Sequence, residues 1–228
     1  AILNGWAAQE VQSNVELGVG NTSFCGGHAS RISLVNRDWV ITDGGRATDS
    51  EEACAYAFNN IALKTAVAEW NADKEAATTK YGAINTWDVS AVTDMQMLFF
   101  ANARTFNADI SNWNVSNVTN MYGMFTLTPF NQDISTWDLA SVTDASYMFY
   151  LNTAFDQNLS DWDVSNATNL SGMFDSAASF NQDLSDWNVT KALSMDNMFN
   201  GTAITMENYN AILNEWAAKE VQENVTLG

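Results

Sequence analysis

The chain is dominated by one motif that returns five times at nearly constant spacing. Trp87, Trp113, Trp137, Trp162 and Trp187 mark the copies, which start 26, 24, 25 and 25 residues apart. Each copy continues with Val or Leu two residues later, then an apolar pair ending in Phe, then, in most copies, Phe-Asn and Asp-Ile-Ser or Asp-Leu-Ser. A fixed period in this range is typical of stacked repeats, because one copy cannot bury its own apolar face. The sequence therefore predicts five repeats that share a continuous core.

The spacing inside a copy predicts a strand followed by a short helix. Residues 110–118 follow the apolar pattern L-x-x-L-x-L-x-x-L of leucine-rich repeats. Trp113 and Val115 would point to the same side of a strand. The apolar residues of 118–125 fall at i, i+3, i+6 and i+7, on one face of a helix. Threonines are the predicted helix caps: Thr93, Thr119, Thr143 and Thr168.

These patterns predict an α/β repeat, a leucine-rich-repeat-like solenoid. Short parallel strands would form one face, short helices the other, and helical caps the ends. The tryptophan column is interpreted as core, because burying one such ring is worth up to about 5 kcal/mol. The alternative, an aromatic platform for sugars, requires the rings to lie outside.

The repeat resembles a known family. The segments WDVSAVTDM, WNVSNVTNMYGMF, FNQDIS and WDVSNATNLSGMF are similar to the bacterial surface-protein leucine-rich repeats of about 25–26 residues called BspA-like. The resemblance covers residues 84–199. It implies a secreted or cell-surface module used for adhesion or recognition, without enzymatic activity, and it implies no particular ligand.

A second, larger period is present. Residues 1–18 and 211–228 are identical at 14 of 18 positions, at an offset of 210. This predicts a tandem array of modules, of which the chain holds one and the start of the next. Residues 1–48 would be the end-cap of a preceding module, 49–83 a helical N-terminal cap, 84–204 the five-repeat solenoid and 205–228 the start of a C-terminal cap.

The capping segments contain ordinary helix and strand signals. Asn59 or Asn60 is expected to cap a helix that runs through Trp70, and Asp73 a further turn that ends near Gly82. Residues 29–35 and 209–220 are predicted helices, the apolar residues from Ile2 to Val11 indicate a partly amphipathic helix, and residues 39–42 a short strand.

Composition excludes several function classes. The formal net charge is −18 with only nine Lys and Arg, which argues against binding nucleic acid or an anionic membrane surface. His28 is the sole histidine, so most histidine-based triads and multi-histidine metal sites are excluded. No phosphate-loop, dinucleotide or nucleophile-elbow motif occurs. An enzyme is not expected, and no cofactor is required.

The candidate ligand face is an outward row beside the tryptophans. Its members are Asp88, Asn114, Asp138, Asp163 and Asn188, with Asp161 and Asp186 in the neighbouring row. Like charges on adjacent strands repel, so Asp161, Asp163 and Asp186 would form the most strained cluster. A bound Ca²⁺ would relieve the strain through carboxylate oxygens. A solvated acidic face is the alternative.

Three further features carry alternatives that the sequence leaves open. Cys25 and Cys54, the only cysteines, would either form a disulfide or remain separate thiols. Among nine N-x-S/T sequons, outward Asn114 and Asn188 are the glycosylation candidates. The regular threonine row is also compatible with ice binding.

The favoured function is an extracellular, cell-surface structural or adhesive module. It would stack end to end with neighbouring modules or with copies of itself, forming a filament that displays its surface. The alternative is a discrete module that binds a polysaccharide or host glycoprotein through the acidic face, with Ca²⁺ assisting.

Overall fold

The computed structural model describes residues 16–18, 40–42, 57–100, 105–219, 222 and 225–227. In chain order it contains strands β1 (Glu16–Gly18) and β2 (Val40–Thr42) and helices α1 (Asn60–Ala72) and α2 (Lys74–Tyr81). A 3₁₀ turn (Ile84–Thr86) and helix α3 (Met206–Ala217) follow. β1 and β2 pair in parallel, with Leu17 opposite Ile41. The strand predicted at 39–42 is confirmed, whereas the helix predicted at 29–35 lies outside the described residues. The partly amphipathic helix predicted from Ile2 to Val11 also lies outside the described residues, and the sequence did not predict the strand at 16–18.

The two helices before the repeats form where the sequence predicts them. The Asn59 side chain accepts the backbone N–H groups of Ile61 and Ala62, which caps α1. Asp73 caps α2 in the same way, and Gly82, with φ +84°, ends it. One face of α1 is buried against the first repeat: Leu63, Ala66, Val67 and Trp70.

The repeats form five layers, each beginning three residues before its tryptophan. Layers 1 to 5 comprise residues 84–109, 110–133, 134–158, 159–183 and 184–204. Apart from the opening 3₁₀ turn, the described residues of these layers contain no α-helix and no multi-residue strand, only tight turns and single parallel bridges. The predicted leucine-rich-repeat-like solenoid, with strands on one face and helices on the other, is therefore wrong. The layers are mostly irregular chain around a large buried aromatic cluster.

A left-handed residue in every layer explains why the predicted helices are absent. The position ten residues after each tryptophan has φ between 54° and 59°, a conformation that ends a right-handed helix. The apolar residues of 118–125 are still buried, because turns bring them inward as a helix would. The left-handed positions are Met97, Gly123, Tyr147, Gly172 and Asn197.

Aromatic columns form the core. The five repeat tryptophans are at most 3% exposed, so the interpretation as core is confirmed and the outward sugar platform is wrong. Phe125 stacks on Phe149 at 5.4 Å between ring centroids, and Phe149 on Phe174 at 5.5 Å. Each tryptophan indole also donates to a backbone carbonyl. Trp87 bonds Gly82 at the end of α2, and the later tryptophans bond the first residue of the preceding layer, as Trp162 does to Ile134 at 3.0 Å. Burial and a satisfied N–H together fix each ring.

Two backbone ladders join the layers, and they run in opposite directions. At the threonine position the later layer donates: the Thr143 N–H bonds to the Thr119 carbonyl at 2.9 Å. In the second ladder the earlier layer donates: the N–H of Met121, two residues after Thr119, bonds the Asp144 carbonyl of the next layer at 2.8 Å. The Asn60 side chain starts the first ladder by accepting the Thr93 N–H at 2.9 Å. The stack therefore has a direction.

Side-chain size alternates along the left-handed positions. In the first four layers they hold Met97, Gly123, Tyr147 and Gly172 in turn. A Cβ added to Gly172 would meet the Tyr147 ring at 2.5 Å, and one added to Gly123 would meet the Met97 sulfur. A large side chain therefore lies over the glycine of the following layer.

The last layer is covered by α3, which lies close to the predicted 209–220. Thr205 caps α3 by accepting the Asn208 N–H. Ile212 and Trp216 are buried. The Trp216 indole donates to the Leu184 carbonyl at 3.1 Å, repeating the bond that every layer's tryptophan makes. Trp216 thus takes the sixth place in the tryptophan column.

Candidate functional surface

The residues of the predicted ligand face lie outside the core, but each also stabilises a turn. All of them are exposed except half-buried Asp88. In the row itself, Oδ1 accepts the backbone N–H two residues later; for Asp88 this is Ser90 at 3.0 Å. Side chains that bond their own backbone in this way favour turns over helix and strand. The same bond is made by Asn114, Asp138, Asp163 and Asn188.

Two further positions in each of the first four layers form equivalent turns, and the sequence analysis missed them. One follows the threonine, where Asp144 Oδ1 accepts the Ser146 N–H at 2.9 Å. The other precedes the tryptophan, where Asp133 Oδ1 accepts the Ser135 N–H at 2.9 Å. The recurring Asp/Asn-x-Ser spacing was the available signal. Many acidic residues of the repeat are therefore turn formers.

The proposed Ca²⁺ cluster has no support from the geometry. Asp161, Asp163 and Asp186 are all exposed. Within the described ranges, no three Asp, Glu, His or Cys side chains are grouped as ligands for a metal ion. Cys25, Cys54 and His28 lie outside those ranges, so the disulfide remains a prediction.

Hydrogen bonding perturbs three of the turn-forming carboxyl groups. The Ser165 hydroxyl and backbone N–H, and to a smaller extent the charge of Lys191, lower the pKa of Asp163. The Ser111 and Ser135 N–H groups, followed by the hydroxyls, lower the pKa of Asp109 and Asp133. These bonds are made to the charged form of the carboxyl group, so they favour it.

Replacing Asp163 with asparagine should leave the fold intact at neutral pH and reduce its acid sensitivity. Asparagine forms the same turn at Asn114 and Asn188, so the expected change at pH 7 is within about 0.5 kcal/mol. A carboxyl group with a lowered pKa stabilises the fold above its unfolded value near 4 and loses that contribution as pH falls through the folded value. Urea unfolding at about pH 7 and pH 3 should therefore show that the variant loses less of its free energy of unfolding in acid than the wild type does.

The control for this prediction is Asp161→Asn, two residues away and exposed. It removes the same charge without removing a side-chain hydrogen bond that the structure shows, so it measures the general effect of reducing the net charge of −18. Equal acid responses of Asp161→Asn and Asp163→Asn would contradict the assignment to the Ser165 bonds.

The threonine row joins layers and does not cap helices. The Thr143 hydroxyl donates to the Thr119 carbonyl at 3.1 Å, and the Thr168 hydroxyl to the Thr143 carbonyl at 3.1 Å. The predicted capping role is wrong, because no helix follows these residues. The hydroxyl donors of this row are used within the stack, and ice binding would have to use the remaining acceptor sites.

A side-chain ladder at the Phe-Asn position also joins the layers. Asn131 Oδ1 accepts the Asp156 N–H at 3.0 Å and the Gln157 amide at 2.9 Å, one layer later. In the same way, Asp156 Oδ1 accepts hydrogen bonds from the Asn181 N–H and from the Gln182 side-chain amide. Phe-Asn-Gln and its variant Phe-Asp-Gln therefore encode contacts between repeats, which the recurrence of the motif indicated only as a pattern.

The sequons divide into two kinds. Asn117 and Asn166 use their amide nitrogens to bond the Ser90 and Ala140 carbonyls of the preceding layer. Asn114 and Asn188 are exposed and use Oδ1 for their own turns. Glycosylation of Asn114 and Asn188 remains a prediction.

The architecture defines a protein of stacked, turn-rich tandem repeats with covered ends. The chain belongs to the family described as "Mycoplasma protein of unknown function, DUF285", whose model matches residues 69–165 and, in a second overlapping copy, 126–226. No curated protein and no solved structure matches the chain. In the part of the chain that the structure describes, no helix is long and apolar enough to cross a membrane.

Proposed function

We propose that the chain is a structural module of an extracellular surface protein, which extends a rod by stacking modules end to end. The observation that carries the proposal is the duplicated capping segment. The described residues of the segment 211–228 cover the end of layer 5, and a near copy of that sequence occupies residues 1–18. A segment present at both ends, one copy of which covers the end of a stack, is suited to joining successive stacks.

The construction of the layers supports a mechanical role. The recurring polar side chains serve turns and ladders between layers, and the apolar ones fill the columns. Repeat proteins of this kind are stabilised by nearest-neighbour contacts, so length can increase without a larger globular core. We assign no enzymatic activity to it, because the resemblance to BspA-like surface repeats implies none.

The resemblance to BspA-like surface repeats supports the cell-surface location. It rests on the Trp-x-Val-Ser and Met-Phe segments and does not depend on the strand-and-helix architecture, which the layers lack. Membership of the proposed class would place the exposed turns on the outside of a rod, where Asn114 and Asn188 could carry glycans.

One observation favours a binding module as the second candidate. Asp138 and Asp163 of the outward row use Oδ1 for their turns, as Asp138 does for Ala140, while their side chains remain exposed. In the described residues, Lys64–Asp94 and Lys80–Glu69 are the ion pairs, so most of the acidic surface is free to attract a cationic partner.

Electron microscopy of the native surface protein separates these candidates. End-to-end stacking predicts long filaments whose axial repeat equals one module of 210 residues. Separate, flexibly jointed rods would contradict it and favour the binding module. Glycan-array binding with and without Ca²⁺ would then test the second candidate directly.

A further inference from the structure

The segment that covers layer 5 makes specific polar contacts in addition to burying Trp216. The Lys219 ammonium donates to the Ser185 carbonyl at 2.9 Å and to the Trp187 carbonyl at 2.8 Å. The Thr226 hydroxyl donates to the Asp196 carboxylate. These contacts, made by described residues of the segment 211–227 (the end cap), join it to several places on the last layer.

The copy at residues 1–18 keeps the anchors of the end cap and changes its polar contacts. Ile212, Trp216 and Leu227 correspond to Ile2, Trp6 and Leu17. Four positions differ, and two of them are the contact residues just described. The differing pairs are Gly5 and Glu215, Gln9 and Lys219, Ser13 and Glu223, and Glu16 and Thr226.

Each change at a contact position weakens the fit of residues 1–18 to layer 5. Gln9 has no positive charge to place on two carbonyls, and hydrogen bonds from charged donors are the stronger ones. Glu16 would put a carboxylate against Asp196, where Thr226 donates a hydrogen bond. Close like charges repel.

We propose that the two copies are caps for different stack ends, and that Lys219 and Thr226 determine which end a cap accepts. Residues 211–228 fit layer 5. Residues 1–18 fit the last layer of another stack of this family that has a neutral or basic residue in place of Asp196. The inference rests on the proposed end-to-end function and identifies the partner surface.

Strand β1 shows how such a junction would be held on its other side. Glu16–Gly18 is part of residues 1–18 and pairs in parallel with Val40–Thr42 of the same chain. A cap docked on a neighbouring stack through Ile2 and Trp6 would therefore stay bonded to this module through β2. One segment would bind both modules.

The charge assignment is tested first within one chain. Thr226→Glu copies the residue found at position 16, and amide exchange over 211–227 should become about fivefold faster, the effect of roughly 1 kcal/mol from close like charges. Adding Asp196→Lys should restore the slow exchange. Glu215→Gln, at an exposed position of α3, is the control and should exchange as the wild type does. Unchanged exchange in Thr226→Glu would overturn the assignment.

Association between chains is tested next, by sedimentation of full-length variants. Trp216→Ala releases the chain's own cap, and amide protection of layers 2 and 3 verifies that the stack remains folded. Trp216→Ala with Asp196→Lys should self-associate at about fivefold lower concentration than Trp216→Ala alone. Adding Trp6→Ala should abolish the association.

The outcomes distinguish the two proposals. If Trp216→Ala associates equally well with and without Asp196→Lys, end-to-end assembly is retained and the selection of caps by charge is overturned. Association that survives Trp6→Ala would overturn the role of residues 1–18. Absence of association in every variant would contradict end-to-end assembly itself, whatever the exchange rates show.

Discussion

Replacing Trp162 with alanine is expected to lower the free energy of unfolding by about 3–5 kcal/mol, the usual cost of removing a buried aromatic side chain. Trp162 is 3% exposed and stacks on Trp187 at 6.3 Å between ring centroids. Alanine would leave a cavity in the tryptophan column and remove one of the two hydrogen bonds that the Ile134 carbonyl accepts, the other coming from the Trp137 N–H. For a chain of this size, calorimetry should show a melting temperature lower by roughly 6–20 °C.

Two further substitutions at this place separate the contributions. Trp162→Phe keeps an aromatic ring and loses the indole N–H, so it should recover more than half of the loss. Asp161→Asn changes the adjacent exposed residue and should stay within about 0.5 kcal/mol of the wild type. A loss below about 1 kcal/mol for Trp162→Ala would contradict the continuous core.

Replacing Gly172 with alanine is expected to cost about 2–5 kcal/mol, from two sources. A Cβ at φ +59° costs about 1–2 kcal/mol in backbone strain. The same Cβ would meet the Tyr147 ring, and overpacking typically costs about 1–3 kcal/mol. Urea unfolding should show this loss of stability as a lower urea concentration at the midpoint of the transition.

Gly201 and Tyr147 provide the matched controls for this prediction. Gly201→Ala has a similar φ of +67° with its nearest neighbours at 3.4 Å, so it measures the backbone cost alone. In a Tyr147→Gly background, Gly172→Ala should also cost only about 1–2 kcal/mol. Additive effects of Tyr147→Gly and Gly172→Ala would show that the ring does not press on this glycine.

The outer segments were predictable because they depend on local signals. Asn59 and Asp73 start helices in the structure as they do in isolated helical segments, by accepting free N–H groups of the first turn. The tryptophans were correctly placed in the core because only burial explains so large an apolar residue at a fixed period. Neither inference required knowledge of how one layer meets the next.

The inside of a repeat was mispredicted because its spacing fits two structures. Val118, Met121 and Phe125 reach the core through turns with a left-handed Gly123 as easily as through one face of a helix. Thr119 was interpreted as a cap, but its hydroxyl bonds the Thr93 carbonyl of the layer before. A partner 26 residues away leaves no mark on local periodicity.

The candidate surface was predicted in position but not in role. The row from Asp88 to Asn188 does face outward, yet its regular spacing reflects turns that every layer needs. A single copy of Asp-x-Ser would have indicated a turn at once; its repetition suggested a binding face. The recurrence of these Asp and Asn residues is therefore explained by the turn that each layer needs, before any binding role is considered.

The alternation of large and small residues at the left-handed positions sets the unit by which such a chain can change length. Removing layer 4 alone would bring Tyr147 onto Asn197, whose Cβ would occupy the space that Gly172 leaves open. Removing layers 3 and 4 together would bring Gly123 next to Asn197, with Met97 still lying over Gly123. Viable shortening or duplication within the stack should therefore proceed by pairs of layers, which makes two repeats the inherited unit.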